Sequence, residues 1–555
     1  MSKKASPLMM KTFAVAIASA CMLGVSSCSI YLNVPDISLT VYESGTETKT
    51  ETVTSEGRGK ESEENSTAAS SSSKASSASG EGYYKATSIN DDIDFNRMDG
   101  AVPTIGIEDM LVVPVDFTDY KFSNSEIEDI ETLTGGSSAE TKYWESLGSF
   151  YSKSSFGKLN MRFTYADTYH VNATAKSFAT NSKYSTEYGW TGCLEVLEGA
   201  VKAYQTKNGA SSTKKFDKDG DGFIDAVIMI YACPNDYDPA IGSWDTKQAY
   251  WAYRWSDFNA SPNKSAPVGY NFFWASLDFF YEDTGTRRNH TGIDAHTLIH
   301  ETGHLLGADD YYNTYTDRQS GGEYHETKSP AGGVMMMDMN RTDHDIFTKM
   351  SYGWVNPYVA TDSCEITIKP SQVNGDAILL ADDWNGTAFD EYIALELYTP
   401  SGLNEVDAAS VSYNRAGVRM LHVDARLAKA TGYNEYSGTY TGYSYVSDSE
   451  KIDQTKYYYY VPARNSAEGD LAPAKGKGYE LVSLISSKGN TFTEDKTSTS
   501  ADLFQTGDSF SISDASASKY FATRGHLNNG VKLPYTITMV SVSSTSATIR
   551  FTKNA

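Results

Sequence analysis

Apolar residues recur with two different periods in the first two thirds of the chain. Apolar positions three and four residues apart predict amphipathic helices, and this spacing occurs at 140–152, 192–205 and 293–306. Continuous or alternating apolar runs predict strands, and such runs occur at 110–119 (where the strand leaves into a loop), 159–165 and 226–232. Helices and strands interleaved in this way predict a mixed domain of α and β elements over residues 91–360.

The pattern changes after about Val359. Short alternating segments now follow one another, separated by Gly, Asn, Asp and Ser, for example at 365–369, 392–397, 418–423 and 547–551. A period of two residues between turn signals is typical of antiparallel strands. We therefore predict that residues 361–555 form an all-β, sandwich-like C-terminal domain.

Length and composition fit this division and exclude some functions. A chain of 555 residues is too long for one hydrophobic core, so more than one folded unit is expected. The formal net charge is −24, from 47 Lys and Arg against 71 Asp and Glu. Because a phosphate backbone would be repelled, the charge argues against a nucleic acid partner. Five cysteines are too few for a disulfide scaffold.

Residues 1–28 have the features of a bacterial targeting segment. Lysines at the start precede an apolar run from Thr12 to Val25, which is too short for a comfortable membrane span. The run ends in Val25-Ser26-Ser27-Cys28, which resembles the bacterial lipobox. The resemblance implies cleavage before Cys28 and acylation of its thiol, giving a lipoprotein on the outer face of the cell membrane. The alternative is an ordinary secretory signal in which Cys28 is incidental.

Residues 29–90 are predicted to be a flexible tether between this lipid and the first domain. The segment is rich in Ser, Thr, Glu and Ala, and residues 66–80 are almost entirely Ser and Ala. Such a composition buries too little apolar surface to become ordered. Proteolysis of the tether would release the protein from the cell.

The helix predicted at 293–306 carries the most specific motif, His300-Glu301-Thr302-Gly303-His304. Residues four apart share one helix face, so His300 and His304 can bind one zinc ion, and Glu301 can take a proton from a zinc-activated water. Gly307 ends the helix and allows the chain to reverse, so that Asp310 becomes the third ligand. The alternative is a surface helix with two solvated histidines, which the apolar residues around the motif argue against.

The whole run, His-Glu-x-x-His-x-x-Gly-x-x-Asp, resembles the metzincin pattern, with Asp in place of the usual third His. It is most similar to the immune inhibitor A family of secreted bacterial metallopeptidases. Further matching segments extend from about Ile107 onward and thin out after Asp424: 111–119, 150–159, 333–339, 343–350, 353–354, 390–397 and 417–424. The resemblance implies a zincin catalytic domain, a β-rich region after it, and proteolysis as the activity. Ala308-Asp309 departs from the usual Leu-Pro before the third ligand.

Other residues near the motif are candidates for supporting roles. One of Met335, Met336 and Met337 would form the Met-turn beneath the metal, and the sequence does not decide which. His344 is a candidate hydrogen-bond donor to the reacting oxyanion, with a structural or surface histidine as the alternative. Tyr311 and Tyr312 follow the third ligand and are candidates for the same role.

A second candidate metal site is the acidic loop with Asp217, Asp219, Asp221 and Asp225. Carboxylates at alternating positions with glycine at the turn resemble the first half of an EF-hand loop, so we predict a structural Ca²⁺. The twelfth position is Ile228 instead of Glu, and Asp225 would complete the ligands. The alternative is an acidic turn that binds no ion.

Together these features predict a monomeric, cell-surface zinc endopeptidase that cleaves extracellular proteins or peptides. One alternative is an adhesin that uses an inactive peptidase scaffold, although neither Glu301 nor a ligand is lost. A second is a carbohydrate-binding function of the C-terminal region, for which aromatic residues are available at Tyr433, Tyr436, Tyr440, Tyr443 and Tyr445.

Overall fold

The structure is a computed structural model of the chain. It describes residues 81–91, 93, 102–180, 190–234, 250, 252–281, 291–312, 328–408, 412–434, 439–447, 450–454, 456–465, 479–493 and 496–554. Cys28 and most of the predicted tether lie outside the described residues. No helix in the described part of the chain combines the length and the apolar character that a membrane span needs.

Most of the described helices are short, and most of them lie in the first two thirds of the chain. In chain order they are α1 Asn124–Gly135, α2 Ser138–Thr141, α3 Leu147–Ser154, α4 Ala175–Thr180, α5 Trp190–Asn208, α6 His296–Leu305, α7 Met336–Met339, α8 Ile346–Ser351, α9 Ser371–Asn374 and α10 Glu405–Ala408. α6 carries the histidine motif. α9 and α10 lie within the range predicted to be all-β.

The strands occur along the whole described chain. They are β1 Tyr83–Lys85, β2 Gly106–Asp116, β3 Leu159–Tyr165, β4 Tyr169–His170, β5 Phe223–Ile224, β6 Val227–Tyr231, β7 Tyr253–Ser256, β8 Val268–Gly269, β9 Asn271–Ser276, β10 Tyr358–Ala360, β11 Cys364–Ile368, β12 Ile378–Leu380, β13 Glu391–Tyr398, β14 Gly417–Asp424, β15 Ala428–Asn434, β16 Thr439–Tyr445, β17 Tyr459–Tyr460, β18 Val482–Ile485, β19 Ser509–Ser511, β20 Tyr535–Val542 and β21 Ala547–Lys553. β1 lies inside the predicted tether range, so the end of that range is ordered.

The N-terminal half is built on one sheet with the strand order β3-β2-β6-β9-β7, and β4 pairs with the end of β2. β3, β2, β6 and β9 are parallel, whereas β7 is an antiparallel edge strand. β6 is buried at every position, as expected for a parallel strand covered on both faces. Successive side chains of β2 point to opposite faces of the sheet, and the two faces pack against different helices. Met110 and Val112 share a core with α6, while Leu111 and Val113 share one with α5.

Two further sheets dominate the C-terminal half. A six-stranded sheet has the order β1-β10-β12-β13-β14-β18, and a four-stranded sheet has the order β11-β21-β20-β19. Residues of both sheets, such as Ile393 and Ile549, form a common buried cluster. The opposite face of the six-stranded sheet, including Ala394 and Leu421, belongs to the same core as α6. The helix with the histidine motif therefore packs against both halves of the chain. Smaller sheets pair β16-β15-β17 and β5-β8.

Candidate functional site

α6 is a buried helix, held from several directions. All of its residues except Thr297 are buried, and Leu298, Ile299 and Leu305 belong to the hydrophobic core. Two tyrosines also donate hydrogen bonds to its backbone. Tyr151 Oη donates to the carbonyl of Ile299 at 2.8 Å, and Tyr352 Oη donates to the carbonyl of Gly303 at 2.7 Å. This fixes the position of the helix independently of any ligand.

Three predicted ligands come together at the end of α6. Nε2 of His300 and Nε2 of His304 each lie 3.2 Å from Oδ1 of Asp310, and the two Nε2 atoms are 3.1 Å apart. All three residues are at most 4% exposed. Zinc–nitrogen bonds of about 2.0–2.1 Å in a tetrahedral site separate neighbouring ligand atoms by about 3.3 Å. The spacing of these three atoms fits a zinc ion.

The other ring nitrogen of each histidine contacts a backbone carbonyl. Nδ1 of His300 lies 2.8 Å from the oxygen of Met336, and Nδ1 of His304 lies 2.8 Å from the oxygen of Ala308. A carbonyl only accepts, so both Nδ1 atoms carry a proton, and in the neutral rings that bind metals each Nε2 has a free electron pair. Two such electron pairs directed at one point in a buried site repel each other unless a cation lies between them. The donor set therefore suits a metal ion.

Asp310 is the carboxylate that the turn after α6 brings to the histidines. Burial by itself raises the pKa of Asp310, but without a metal the positive charge and the N–H groups of protonated His304 and His300 outweigh it and hold this pKa at about 2. The preceding residue, Asp309, accepts the backbone N–H of Asp310 at 3.0 Å. Burial raises the pKa of Asp309. Of the two neighbouring aspartates, Asp310 is the one that shares the cluster with the histidines.

Glu301 follows His300 directly on α6 and is 3% exposed. A step of one residue turns a helix by about 100°, so Glu301 lies beside the histidine face and not on it. The ring centroid of Tyr312 lies 6.3 Å from that of His300. Tyr311 is directed elsewhere, because its hydroxyl is 2.7 Å from Oγ1 of Thr348.

The methionine segment packs directly against the motif. A Cβ atom at Gly303 would lie 2.5 Å from Sδ of Met337, so glycine at this position allows the sulfur to touch the helix. Met336 contributes its carbonyl to His300, as described above, and the carbonyl of Met337 accepts the N–H of Tyr311 at 2.7 Å. Met337 is thus the methionine beneath α6. The role of the Met336 carbonyl has no signal in the sequence.

His344 is buried beside α6 and is not among the three clustered ligand atoms. Its ring is surrounded by Phe150, Tyr151, Tyr352 and Trp354, and Nε2 lies 3.4 Å from the hydroxyl of Tyr151. Burial, assisted by the charge of Lys349, holds the pKa of His344 well below its usual value, so the ring is neutral. A Cβ atom at Gly303 would be 3.5 Å from this ring.

A third histidine of α6, at its first position, belongs to a network that the sequence does not indicate. Nδ1 of His296 lies 2.5 Å from Oδ1 of Asp294, and Nε2 lies 3.2 Å from Oδ2 of Asp407 in α10. The ring stacks on Trp144 with centroids 3.9 Å apart. Burial lowers the pKa of His296, but Asp294 and Asp407 outweigh it and raise this pKa to about 10. His296 is therefore an imidazolium held between two carboxylates.

The acidic loop forms a second cluster of carboxylates. Oxygen atoms of Asp217, Asp219 and Asp225 lie within 4.8 Å of one another. Asp221 is not part of this group, and its Oδ1 accepts the N–H of Phe223 at 2.7 Å. Glu108 of β2, which the sequence did not single out, contacts Asp225. Burial and this contact raise the pKa of Asp225 to about 10.

Two predicted features have no description in the structure. The lipid attachment residue Cys28 and the side chains of Tyr433, Tyr436 and Tyr440 lie outside the described part of the chain. The chain matches no known protein-family model and no curated protein. The similarity to the immune inhibitor A family therefore stays a prediction.

Proposed function

We propose that the chain is a zinc-dependent endopeptidase that hydrolyses peptide bonds in extracellular proteins. The observation that carries the proposal is the convergence of Nε2 of His300, Nε2 of His304 and Oδ1 of Asp310 within 3.2 Å of one another. The fixed protonation of both Nδ1 atoms adds to it, because it leaves each Nε2 able to bind a metal. Three protein ligands leave one position open for water and substrate, as in catalytic zinc sites.

His300, His304 and Asp310 would hold the zinc. The ion supplies Lewis acidity, which polarises a peptide carbonyl and makes a nearby water more acidic. The protein then has to hold its ligands still, and the carbonyls of Met336 and Ala308 do this for the two histidines. The burial of all three ligands also excludes bulk water, which strengthens electrostatic interactions at the site.

Glu301 would act as the general base and then as the general acid. Its carboxylate accepts a proton from the attacking water as the carbon–oxygen bond forms. It returns this proton to the amide nitrogen as the carbon–nitrogen bond breaks, so the products are a carboxylic acid and an amine. No covalent intermediate with the protein is needed, and no Ser or Cys nucleophile is required by this scheme.

We also propose that the enzyme acts outside the cell while attached to it. The Val25-Ser26-Ser27-Cys28 sequence after an apolar run supports a lipid on Cys28, and the Ser-rich segment after it supports a long tether. A tethered protease can reach proteins in the surrounding medium and polymers at the cell surface. The acidic net charge of −24 supports a soluble, secreted domain.

Cleavage of an unbiased peptide library by purified protein tests the proposal. The wild type is expected to cleave, to contain one zinc per chain, and to lose activity with a chelator and regain it with zinc. Zinc bound at stoichiometry without cleavage of any peptide would favour the adhesin alternative. Cleavage that persists after complete removal of zinc would contradict the proposal.

A further inference from the structure

The acidic loop is a closed structure at the entrance to β6. The N–H of Asp225 donates to the carbonyl of Phe216 at 2.8 Å and thereby joins the two ends of the loop. In the middle, the carbonyl of Gly222 accepts the N–H of Asn263 at 2.9 Å. A Cβ atom at Gly222 would be 2.8 Å from this nitrogen, so the close approach requires glycine. The loop thus holds its carboxylates in place.

Glu108 reaches this loop from a strand more than a hundred residues earlier. β2 and β6 are parallel neighbours, with Leu111 opposite Val227. Three residues before this pair, Glu108 comes level with Ile224 at the end of the acidic loop. The sheet therefore brings Glu108 beside the loop. Glu108 is only 1% exposed, and its Oε1 atom has no hydrogen-bond partner. A buried carboxylate oxygen without a donor is costly unless a cation is present.

The surroundings of Glu108 contain more negative than positive charge. Its carboxylate contacts that of Asp225, and the charges of Asp109 and Asp219 also act on it. Oδ1 of Asp217 is a second buried oxygen without a partner. Two exposed cations act on Glu108, and each has another partner. Lys218 Nζ donates to the carbonyl of Ile107 at 3.1 Å, and Arg162 pairs with Asp109.

We infer that Glu108, Asp217, Asp219 and Asp225 bind one hard divalent cation, Ca²⁺, which joins β2 to the loop before β6. An all-oxygen set of carboxylates selects calcium, magnesium or manganese over zinc. Calcium bonds of about 2.3–2.6 Å place opposite ligands about 4.8 Å apart, and calcium accepts irregular geometry that magnesium does not. The oxygen atoms of the three aspartates, all within 4.8 Å of one another, match this size.

This site differs from the ligand set expected from the sequence alone. Glu108 supplies a ligand that an EF-hand loop would take from its twelfth position, where this chain has Ile228. Asp221 lies outside the cluster of three aspartates, and its Oδ1 accepts the N–H of Phe223. Glu108 adjoins that cluster through its contact with Asp225. The ion would link two neighbouring strands of the central sheet at the same end, so its effect is on stability and not on the chemistry at His300 and His304.

The competing explanation is a proton shared between Glu108 and Asp225. A shared proton also relieves the repulsion between two buried carboxylates. The two explanations differ in their response to Glu108→Gln, since an amide can replace a proton-sharing carboxyl group but replaces a calcium ligand poorly. The difference is measurable without any assay of proteolysis.

The experiment uses full-length Glu301→Gln protein that is loaded with zinc and free of calcium. CaCl2 is titrated into this protein, and calorimetry measures the binding. Glu301→Gln prevents self-digestion. We expect one calcium site and a rise in melting temperature with calcium. Glu108→Gln should weaken calcium binding by at least about tenfold, a loss typical of altered metal-site groups. In the absence of calcium, Glu108→Gln should melt at or above the temperature of its parent, because one buried charge is gone.

Asp167→Asn is the matched control. It removes one exposed carboxylate, which pairs with Lys207, and it should leave the calcium affinity within about twofold of the parent. The exposed Asp219 provides a ligand variant that should fold normally, and Asp219→Asn should also weaken calcium binding. If calcium raises the melting temperature of Glu108→Gln as much as that of its parent, Glu108 is not a ligand. If the parent binds no calcium, the shared proton is the correct explanation.

Discussion

Nε2 of His296 lies 3.2 Å from Oδ2 of Asp407, which connects the first residue of the motif helix to a short helix 111 residues later. The same Asp407 oxygen accepts the N–H of Thr342 at 2.7 Å. Asp407 therefore bridges α6 and the segment that follows the methionines. The orientation of the proposed zinc helix depends in this way on the C-terminal half of the chain.

This contact predicts a pH dependence of stability. The pKa of His296 is raised from 6.5 to about 10 in the folded chain. A raised pKa means that the folded state binds the proton more tightly, so the stabilisation is complete below pH 6.5 and is lost as the pH rises toward 10. Asp407→Asn removes the negative charge of one of the two carboxylates that raise the pKa of His296. Thermal melts from pH 6.5 to 10 should therefore show a smaller loss of melting temperature in Asp407→Asn than in wild type.

The control for this prediction is Asp382→Asn, which removes an exposed aspartate. Its melting temperature should follow the wild type across the whole pH range. Equal slopes for wild type and Asp407→Asn would mean that the contact with Asp407 contributes nothing to the charge state of His296.

Glu301→Gln should keep zinc and the fold but lose almost all turnover. The amide cannot accept a proton, and the three ligands are untouched. General acid–base catalysis typically contributes about 10²–10⁴ in rate, so kcat should fall by at least that factor. Glu128→Gln, on the exposed side of α1, is the matched control and should be fully active. Wild-type turnover in zinc-loaded Glu301→Gln protein would rule out the proposed base.

Asp310 and its neighbour Asp309 offer a comparison in which only position differs. Asp310→Asn should weaken zinc retention, because the carboxylate oxygen shared by both histidines is lost. Asp309→Asn should retain zinc, since an amide oxygen can still accept the N–H of Asp310. Metal analysis after mild chelation measures the difference. Zinc retained equally by the two variants would remove Asp310 from the ligand set.

The regular elements nearest the site could be predicted well from the sequence, because their apolar periods are strong. The strand predicted at 159–165 occurs at Leu159–Tyr165, and the helix predicted at 293–306 occurs at His296–Leu305. The helix predicted at 140–152 is instead two helices, α2 and α3. Lys142 has φ of 61°, and Ser146 begins a new helix by accepting the N–H of Ser149. Trp144, which falls within the range of the predicted helix, lies between them and stacks on His296.

In the candidate site too, contacts between residues close in sequence could be predicted, whereas contacts between distant residues could not. The spacing of His300, His304 and Asp310 is local, and a helix followed by a turn is enough to bring them together. The carbonyl of Met336 and the carboxylate of Asp407 reach α6 from 36 and 111 residues away. Such contacts follow from the packing of two sheets around one helix, for which a single sequence has no periodic signal.

The lipid anchor can be tested with a variant pair in the leader. Cys28→Ala removes the thiol that would be acylated, so the protein should leave the membrane fraction and appear in the medium. A diacylated cysteine anchors firmly, whereas one acyl chain binds only marginally. Cys21→Ala alters the other leader cysteine and should stay with membranes. Sedimentation of Cys28→Ala with membranes, sensitive to detergent, would exclude Cys28 as the attachment point.

Substitutions at Gly303 and Met337 test whether the methionine supports the histidine motif by direct contact with α6. Gly303→Ala would place a Cβ atom 2.5 Å from Sδ of Met337, so the sulfur has to move away from the helix. Overpacking of this kind typically costs about 1–3 kcal/mol. We expect denaturant unfolding of Gly303→Ala to show a loss in that range, together with weaker zinc retention, because Met336 beside it holds His300. Met337→Ala makes room for the added methyl group, so the two substitutions together should cost less than their sum. Strict additivity in this double-mutant cycle would mean that the two residues do not touch.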